Sequence, residues 1–501
     1  MKQKQVFTIF FSLLFILVFV SNGIAQWTQI GEPINGEQAY DRLGTSLSLS
    51  NDGMTLATAA PDASVFQDSI SRVKIFKLEG ESWIQEGVDL AGDIFMDGFN
   101  FPISLSGDGL TLAKGSPFDT INGPTSGSVR VYDVSNEEWD QLGEVILGDQ
   151  TPFYFGTSIS LSDDGRTIAV GTGNQAAFGR VRVYEYNEGI WEQKGDDLVG
   201  DLSGDLFGFS VDLSVEGDVL AVGALQSDDF MEGAGEVRVF SWVDDSWVQV
   251  GDDITGENAY DASGFSISLD ANGETVLVGA PYPDVDEMND AGYAIVYELL
   301  DGSWVQKGQR LNGFGDDYLG YDTSISADGN IISISAPTHR VTPFEPNTGQ
   351  VKAFYYSNSQ WVQHGNILIG PYPTAWFGGS VGLSADGHIL AVGSPRNYDV
   401  GYESGQVQVY ELMPLSVEEN DFAESVIIYP NPTRGLVTIQ FDNQPASGSI
   451  SVLNLYGKTL LKQQVNGANS TLDLSALANS IYIIEVRNSE SVKVEKLVLD
   501  R

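Results

Sequence analysis

Short runs in which apolar and polar residues alternate recur along residues 26–412, and they predict strands. In FSISLD, residues 265–270, apolar and small polar residues alternate with the period of 2 that is typical of a β-strand. ETVLVGAP, residues 274–281, is apolar nearly throughout and predicts a strand buried on both faces. A loop of variable length follows, then a third strand such as VRVYEY at 181–186, and then a fourth strand that contains a tryptophan.

This four-strand unit recurs seven times. The motif W-x-Q-x-G marks each copy, and its tryptophans are Trp27, Trp83, Trp139, Trp191, Trp247, Trp304 and Trp361. Successive copies are 56, 56, 52, 56, 57 and 57 residues apart. A second glycine lies nine residues after each tryptophan, at Gly36, Gly92, Gly148, Gly200, Gly256, Gly313 and Gly370. One such unit cannot bury both faces of its strands alone, so neighbouring units must stack.

The first two strands of every unit meet at an acidic or amide residue followed by glycine. The pairs are Asp52-Gly53, Asp108-Gly109, Asp164-Gly165, Glu216-Gly217, Asn272-Gly273, Asp328-Gly329 and Asp386-Gly387. Hairpin turns need positive φ, which Asn-Gly and Asp-Gly supply at the least cost. One carboxylate per turn is poor metal coordination, so these acids are expected to form turns.

The chain ends distinguish a closed ring from an open solenoid. A lone tryptophan strand, residues 27–34, precedes the first full set, whereas the last set, residues 379–412, has no tryptophan strand after it. The first strand can therefore complete the last unit and remove the exposed sheet edges, while a solenoid would need caps at both ends. The predicted fold class is all-β: a seven-bladed β-propeller over 26–412, closed by its N-terminal strand.

The repeated pattern G-x-S-x-S-L-S-x-D-G-x-x-L-A-V-G-A-P, followed by G-x-V-x-V-Y and W-x-Q, resembles FG-GAP repeats, the blades of integrin-type propellers. The G-A-P element is complete at Gly279-Ala280-Pro281 and degraded in other units, and the third and fourth units lack the proline. That family often carries a calcium loop between the first two strands. Here the connection, as in SLSDDGRT at 160–167, is too short for it.

A second set of acidic residues recurs three residues before the position that opens the first strand, which is a glycine in every unit but the second. The set is Asp41, Asp97, Asp205, Asp261 and Asp317, with Phe153 and Ala375 at the same place in the third and seventh units. Five carboxylates on one ring could gather Ca²⁺, which prefers oxygen ligands and is the one candidate cofactor. The alternative is that each aspartate bonds its own backbone in a turn.

The net charge of −44 belongs almost wholly to the repeats. Residues 26–412 hold 59 acidic and 16 basic residues, a net charge of −43, and the linker 413–425 adds four acids. A surface this negative repels nucleic acid and anionic lipid and attracts cationic partners, or it serves solubility in a salty medium. The chain has no cysteine, so disulfides contribute nothing to its stability.

The first 25 residues predict a signal peptide. Lys2 and Lys4 precede the apolar run 6–20, and small residues lead to a cleavage site between Ala25 and Gln26. The run is shorter than the ~20 residues that span a bilayer, so no integral membrane segment is expected after cleavage. The expected location is extracellular or anchored on the outer cell surface.

Residues 426–501 contain seven short strand-like runs, which predict a small β-sandwich. The region resembles the C-terminal sorting domain of the type IX secretion system, and 413–425 is its acidic linker. The residues that carry the resemblance include Tyr429, Pro430, Asn431, Pro432, Gly435, Gly457 and Tyr482. One departure is Ser480, where a glycine usually precedes the Ile-Tyr pair. The resemblance implies the type IX machinery as a partner, with the domain removed after export.

No catalytic constellation is found in the sequence. His339, His364 and His388 lack metal-ligand spacing, and no serine lies in G-x-S-x-G. The units stay alike, which favours binding or adhesion, to a polysaccharide or another surface protein, over catalysis. The alternative is an extracellular enzyme that degrades a polymer, a glycoside hydrolase or lyase with two carboxylates facing one pocket.

Overall fold

The protein is described by a computed structural model that divides into two compact units, Met1–Pro414 and Leu415–Arg501. The structure describes residues 25–61, 71–91, 102–136, 138–149, 154–173, 178–228, 231–283, 290–340, 346–413, 426–441, 448–453, 459–465, 469–487 and 492–499. Every regular element in these ranges is a β-strand, so the all-β prediction is confirmed. The predicted signal peptide up to residue 24 and the linker from 414 lie outside the described residues.

The strands of the first unit form seven antiparallel sheets in the described ranges, numbered here in chain order. Two strands precede sheet 1: β1 (Gln26–Gln29) and β2 (Ile34–Asn35). Sheet 1 contains β3 (Ser46–Leu49), β4 (Thr55–Ala60), β5 (Arg72–Glu79) and β6 (Ser82–Ala91). Sheet 2 contains β7 (Ile103–Leu105), β8 (Thr111–Ser116), β9 (Ser128–Asp133), β10 (Asp140–Gln141) and β11 (Ile146–Leu147). Sheet 3 contains β12 (Phe155–Leu161), β13 (Thr167–Thr172), β14 (Arg180–Asn187), β15 (Ile190–Gln193) and β16 (Leu198–Val199).

The remaining four sheets repeat this arrangement. Sheet 4 contains β17 (Phe207–Leu213), β18 (Val219–Ala224), β19 (Glu236–Val243), β20 (Ser246–Gln249) and β21 (Ile254–Thr255). Sheet 5 contains β22 (Ser266–Leu269), β23 (Thr275–Ala280), β24 (Tyr293–Leu300), β25 (Ser303–Gln306) and β26 (Leu311–Asn312). Sheet 6 contains β27 (Thr323–Ile325), β28 (Ile331–Ala336), β29 (Gln350–Ser357), β30 (Gln360–Gln363) and β31 (Leu368–Ile369). Sheet 7 contains β32 (Ser380–Leu383), β33 (Ile389–Ser394) and β34 (Gln406–Met413).

Sheet 7 is completed by the N-terminal strands. Strand β1 pairs antiparallel with β34, with Gln26 opposite Met413 and Gln29 opposite Tyr410, and β2 pairs with the beginning of β34. The outer edge of the last sheet is therefore covered by the first strand of the chain.

A circle of backbone hydrogen bonds closes the ring at the turns between first and second strands. The N–H of each turn residue donates to the carbonyl of the next sheet's turn, at N···O distances between 2.8 and 3.0 Å. The circle runs through Asn51, Gly107, Asp163, Val215, Ala271, Ala327 and Ala385, and the N–H of Ala385 returns to the carbonyl of Asn51. Sheets joined in a closed circle around one axis form a β-propeller.

The repeated tryptophans lie at the seams between sheets, which explains the motif W-x-Q-x-G. The Trp361 indole N–H donates to the carbonyl of Lys307 in the preceding motif at 2.7 Å, and that of Trp27 donates to His364 at 2.8 Å across the closure. The motif glycine packs against the same ring: at Gly308, φ is +79° and an added Cβ would lie 2.7 Å from Cδ1 of Trp361. Both the left-handed backbone and the close ring require glycine.

The second unit consists of two antiparallel sheets that share one buried cluster. Its strands are β35 (Val426–Tyr429), β36 (Leu436–Phe441), β37 (Ser449–Leu453), β38 (Thr459–Gln464), β39 (Asn469–Asp473), β40 (Ser480–Arg487) and β41 (Val492–Leu499). The sheet orders are β35-β36-β39 and β38-β37-β40-β41. Ile439 from the first sheet and Ile484 from the second are fully buried in the same cluster.

Candidate functional site

The loop that enters each first strand and the loop between the second and third strands leave the propeller at the same end, because the strands of each sheet are antiparallel. We term this end the loop face. The opposite end, which carries the circle of hydrogen bonds, is the turn face. The recurring aspartates lie in the loops that enter the first strands, and so belong to the loop face.

Each described aspartate of the recurring set is buried and accepts a hydrogen bond from its own loop. The Asp41 carboxylate accepts the N–H groups of Glu37 and Gln38, both at 2.8 Å. Asp205 accepts the N–H of Leu202 at 2.9 Å, and Asp317 accepts that of Phe314 at 3.0 Å. Asp261 does the same with Asn258 at 2.9 Å, whereas Asp97 lies outside the described residues.

Asp261 and Asp317 each have further partners from the loops and strands around them. The Tyr293 hydroxyl donates to Asp261 at 2.7 Å, and burial raises the pKa of the Asp261 carboxyl despite that bond. The Asp317 carboxylate bonds Nδ1 of His339 at 2.8 Å and accepts Nε2 of Gln350 at 3.2 Å. Within the described ranges, no group of three or more His, Asp or Glu side chains could hold a metal ion. Among the described members of the set, each carboxylate therefore bonds groups of its own loop or of the strands beside it.

Aromatic side chains on the loop face form a contiguous group, which we term the aromatic arc. Its members come from the loops and strand ends of sheets 4 to 7, and they are Phe209, Phe265, Tyr282, Tyr318, Tyr321 and Trp376. Each ring is within 6.0 Å of another member, measured between ring centroids. All six are partly exposed, and Tyr282 keeps 38% of its surface accessible.

Four of the six rings form a row, and two lie beside it. Phe265 is 5.3 Å from Phe209 and 5.1 Å from Tyr321, and Tyr321 is 6.0 Å from Trp376. Tyr282 lies 5.6 Å from Phe265 and 5.6 Å from Tyr318. The row therefore places adjacent rings from the units of sheets 4 to 7 next to one another on the loop face.

The sequence carries a signal for the arc at one position of the repeat. The residue that follows the glycine opening the first strand is aromatic in three successive units, at Phe209, Phe265 and Tyr321. The same position holds Thr45, Thr157 and Gly379 in the units of sheets 1, 3 and 7, and Phe101 of the second unit lies outside the described residues. The row of adjacent rings is therefore a departure from the repeat, and the residues that all units share do not indicate it.

Carboxylates and arginines border the arc. Burial raises the pKa of the Tyr318 hydroxyl first, and the negative charges of Asp290 and Asp316 raise it further. Burial also raises the pKa of the Tyr282 hydroxyl, and Tyr318 and then Asp290 raise it further. At the other end, the guanidinium of Arg396 lies 3.6 Å from the ring centroid of Trp376, a cation–π contact.

Two partly buried carboxylates on or beside the first strands also break the repeat. In most seams a serine hydroxyl accepts an N–H from the next first strand, as Ser104 does from Leu161 at 3.0 Å. Asp212 replaces that serine and accepts the Leu269 N–H at 2.7 Å. Asp322, two residues earlier in the repeat, accepts the Val381 N–H at 2.7 Å. Burial raises the pKa of each aspartate to about 6, against the lowering effect of these bonds.

In the second unit, the motif Tyr429-Pro430-Asn431-Pro432 ties the first strand to the last. The Asn431 side chain donates to the carbonyl of Lys496 at 2.6 Å and accepts the N–H of Val498 at 2.9 Å. Gly435 has φ +142°, and its carbonyl accepts the N–H of Leu474.

The other motif residues have separate positions. The buried Tyr482 ring donates its hydroxyl to the carbonyl of Ala478 at 2.7 Å, whereas Gly457 lies outside the described residues. At the predicted cleavage site, Ala25 is half-buried and Gln26 begins β1.

Comparisons with known proteins bear on both units. Residues 427–500 match the family "Secretion system C-terminal sorting domain". No curated protein matches the sequence. Among solved structures, U3-55K is 12% identical with a TM-score of 0.46, covering 77% of this chain and 98% of its own. The C-terminal WD40 domain of Sif2 is 11% identical with a TM-score of 0.44, covering 77% and 99%.

A further similar structure is the periplasmic gluconolactonase PpgL of Pseudomonas aeruginosa, 14% identical with a TM-score of 0.42, covering 80% of this chain and 95% of its own. In the part of the chain that the structure describes, no helix has the length and apolar character to cross a membrane. The chain thus joins a β-propeller to a C-terminal sorting domain of the type IX secretion system, which indicates export followed by secretion or attachment at the cell surface.

Proposed function

We propose that this chain is an exported binding or adhesion protein that holds its ligand at the aromatic arc. The arc itself carries the proposal. The same position holds Thr45, Thr157 and Gly379 in three other units, so the repeat does not require an aromatic ring there. Contiguous, partly exposed rings on one side of a rigid ring are instead typical of a recognition surface.

The loops that carry two rings of the arc share their backbone shape with the other units. Tyr318 has a φ of 54° and Trp376 a φ of 57°, and the equivalent residues Arg42, Tyr154, Leu206 and Ala262 are also left-handed. Each of these residues follows the position of the recurring aspartate, so the repeat supplies the loop shape and only the side chain differs from unit to unit.

The resemblance of the repeats to FG-GAP blades agrees with a binding role outside the cell. The signal peptide expected to end at Ala25 and the C-terminal sorting domain agree with export of such a protein. A polysaccharide or another surface protein is the expected partner.

The test is a panel of soluble glycans and cell surfaces, assayed for both retention and product release. We expect retention without turnover by the wild-type protein, and loss of retention in Tyr282→Ala combined with Trp376→Ala. The matched control is Tyr402→Ala, which removes a phenol of 64% exposure outside the arc. Parallel assays with Ca²⁺ and with a chelator test the cation role expected of the recurring aspartates. Equal retention by the arc variant and the control would contradict the proposal.

A second candidate, cleavage of an extracellular polymer, is favoured by one observation. Asp212 and Asp322 stand where most other units carry serine, and a carboxylate pair is what glycoside hydrolysis needs. Both, however, use an oxygen to accept a neighbouring backbone N–H. Product release in the panel, abolished by Asp212→Asn, would favour this candidate.

A further inference from the structure

The charge around the aromatic arc restricts the chemistry of its occupant. Asp290 acts on both tyrosines beside the row, and Asp316, whose side chain is 57% exposed, acts on Tyr318 and forms an ion pair with Arg340 at 3.9 Å. The propeller as a whole has a net charge of −43 over residues 26–412. A polyanion would be repelled from this surface, and a ligand with positive charge would be attracted to it.

The chain itself shows that a ring of the arc accepts a cation. The Arg396 guanidinium lies over Trp376, 3.6 Å from the centroid of the ring. The Tyr282 and Tyr318 rings lie 5.6 Å apart, and carboxylates stand beside them. An ammonium group at these two rings would gain both a π face and a negative charge.

The shape of the arc and its backbone favour a sugar polymer over a polypeptide. The four rings of the row follow one another at centroid distances of 5.3, 5.1 and 6.0 Å, so more than one unit of a polymer can contact them. The N–H groups of Phe209, Phe265 and Tyr321 already donate to carbonyls three residues earlier in their own loops, at 2.9, 3.1 and 3.2 Å. An extended polypeptide needs main-chain partners for its own N–H and C=O groups, whereas the C–H face of a sugar ring packs directly against an aromatic ring.

We propose that the aromatic arc binds a polysaccharide with free amino groups, its sugar rings on the row and its ammonium groups beside Tyr282, Tyr318 and Asp316. This inference rests on the proposed binding function and specifies its ligand class. The probe is a hexamer of β-1,4-linked glucosamine. The matched ligands have the same linkage without the charge: the N-acetylglucosamine hexamer and the glucose hexamer.

Binding of the full exported protein is measured by calorimetry at physiological salt. We expect the glucosamine hexamer to bind at least tenfold more tightly than either neutral hexamer. Tyr282→Ala with Tyr318→Ala should weaken it at least tenfold, and Asp316→Asn severalfold. Two controls should leave it unchanged: Tyr402→Ala, and Asp244→Asn, which removes one charge at a hairpin of the turn face.

Three results would overturn the inference. Equal affinity for the three hexamers would show that the rings bind sugars without regard to charge, which leaves the proposed function intact. If Asp316→Asn and Asp244→Asn lose equal affinity for the glucosamine hexamer while the tyrosine variant loses none, the hexamer is held by general charge attraction. Tighter binding of a hexalysine peptide than of the glucosamine hexamer, lost in the tyrosine variant, would identify a basic polypeptide as the occupant. If the arc variants bind every ligand as tightly as the wild-type protein does, the proposed function fails as well.

Discussion

At the scale of single residues, a recurring hydrogen-bond acceptor connects neighbouring sheets of this propeller. A serine on each of several first strands accepts a backbone N–H of the next sheet, for example Ser104 from Leu161 and Ser324 from Leu383, both at 3.0 Å. An N–H buried without an acceptor costs about 1–3 kcal/mol. Asp212 fills this role with a carboxylate, which makes the bond charge-assisted and also places a titratable group between sheets.

Replacing Asp212 by serine is expected to change the pH dependence of stability. The pKa of Asp212 is raised to about 6 in the folded protein from an ordinary 3.8. Between pH 4 and 6 the folded state retains a proton that the unfolded state has released, so the contribution of this group to stability falls as pH rises through that window. The difference in free energy of unfolding between Asp212→Ser and wild type should therefore shift in favour of the variant by about 2 kcal/mol from pH 4 to pH 7.

Urea unfolding of both proteins from pH 4 to 7 measures this difference. Ser104→Ala is the control, because it removes a seam acceptor without removing a titratable group. If Asp212→Ser has the same dependence of stability on pH as wild type, the environment assigned to the Asp212 carboxylate is wrong.

At the scale of strands, the motif W-x-Q-x-G joins each sheet to the next. The tryptophan donates its indole N–H across the seam, and the motif glycine of the preceding unit lies against its ring. The packing role of these residues was open to prediction from the sequence, because a large aromatic residue that recurs once in every unit has to be buried against the next one. The carbonyl that accepts the indole N–H could not be predicted, because it depends on how neighbouring sheets stack.

A matched pair of glycines separates backbone strain from crowding in this element. Gly302 and Gly308 have φ of +81° and +79°, but an added Cβ meets nothing within 4 Å at Gly302 and lies 2.7 Å from Trp361 at Gly308. Gly302→Ala should cost roughly 1 kcal/mol from the left-handed backbone alone. Gly308→Ala should cost about 1–3 kcal/mol more, because the Trp361 ring must move. Thermal unfolding measures both, and equal losses would contradict the proposed seam packing.

At the scale of the whole molecule, the all-β propeller was predictable and its candidate binding face was not. Three signals predict a ring: strands with a period of 2, Asp-Gly turns, and an N-terminal strand at Trp27 that can complete the last unit. Each can be recognised from neighbouring residues or by counting strands. The recurring aspartates, including Asp41 and Asp261, lie on the loop face, yet the sequence could not show whether they bond their own backbone. The arc was concealed because the repeat positions that carry its rings are aromatic only in some units, and the rings meet only when sheets 4 to 7 stand side by side.

Tryptophan fluorescence tests most directly whether ligand binds at the aromatic arc. Of the nine tryptophans, Trp376 belongs to the arc, Trp242 pairs with Trp247, and the other seven are the motif residues. A ligand identified by retention should change the emission of the wild-type protein, and the change should vanish in Trp376→Phe with the fold intact. The same change persisting in Trp376→Phe, and lost instead in Trp304→Phe at a seam, would contradict binding at the arc.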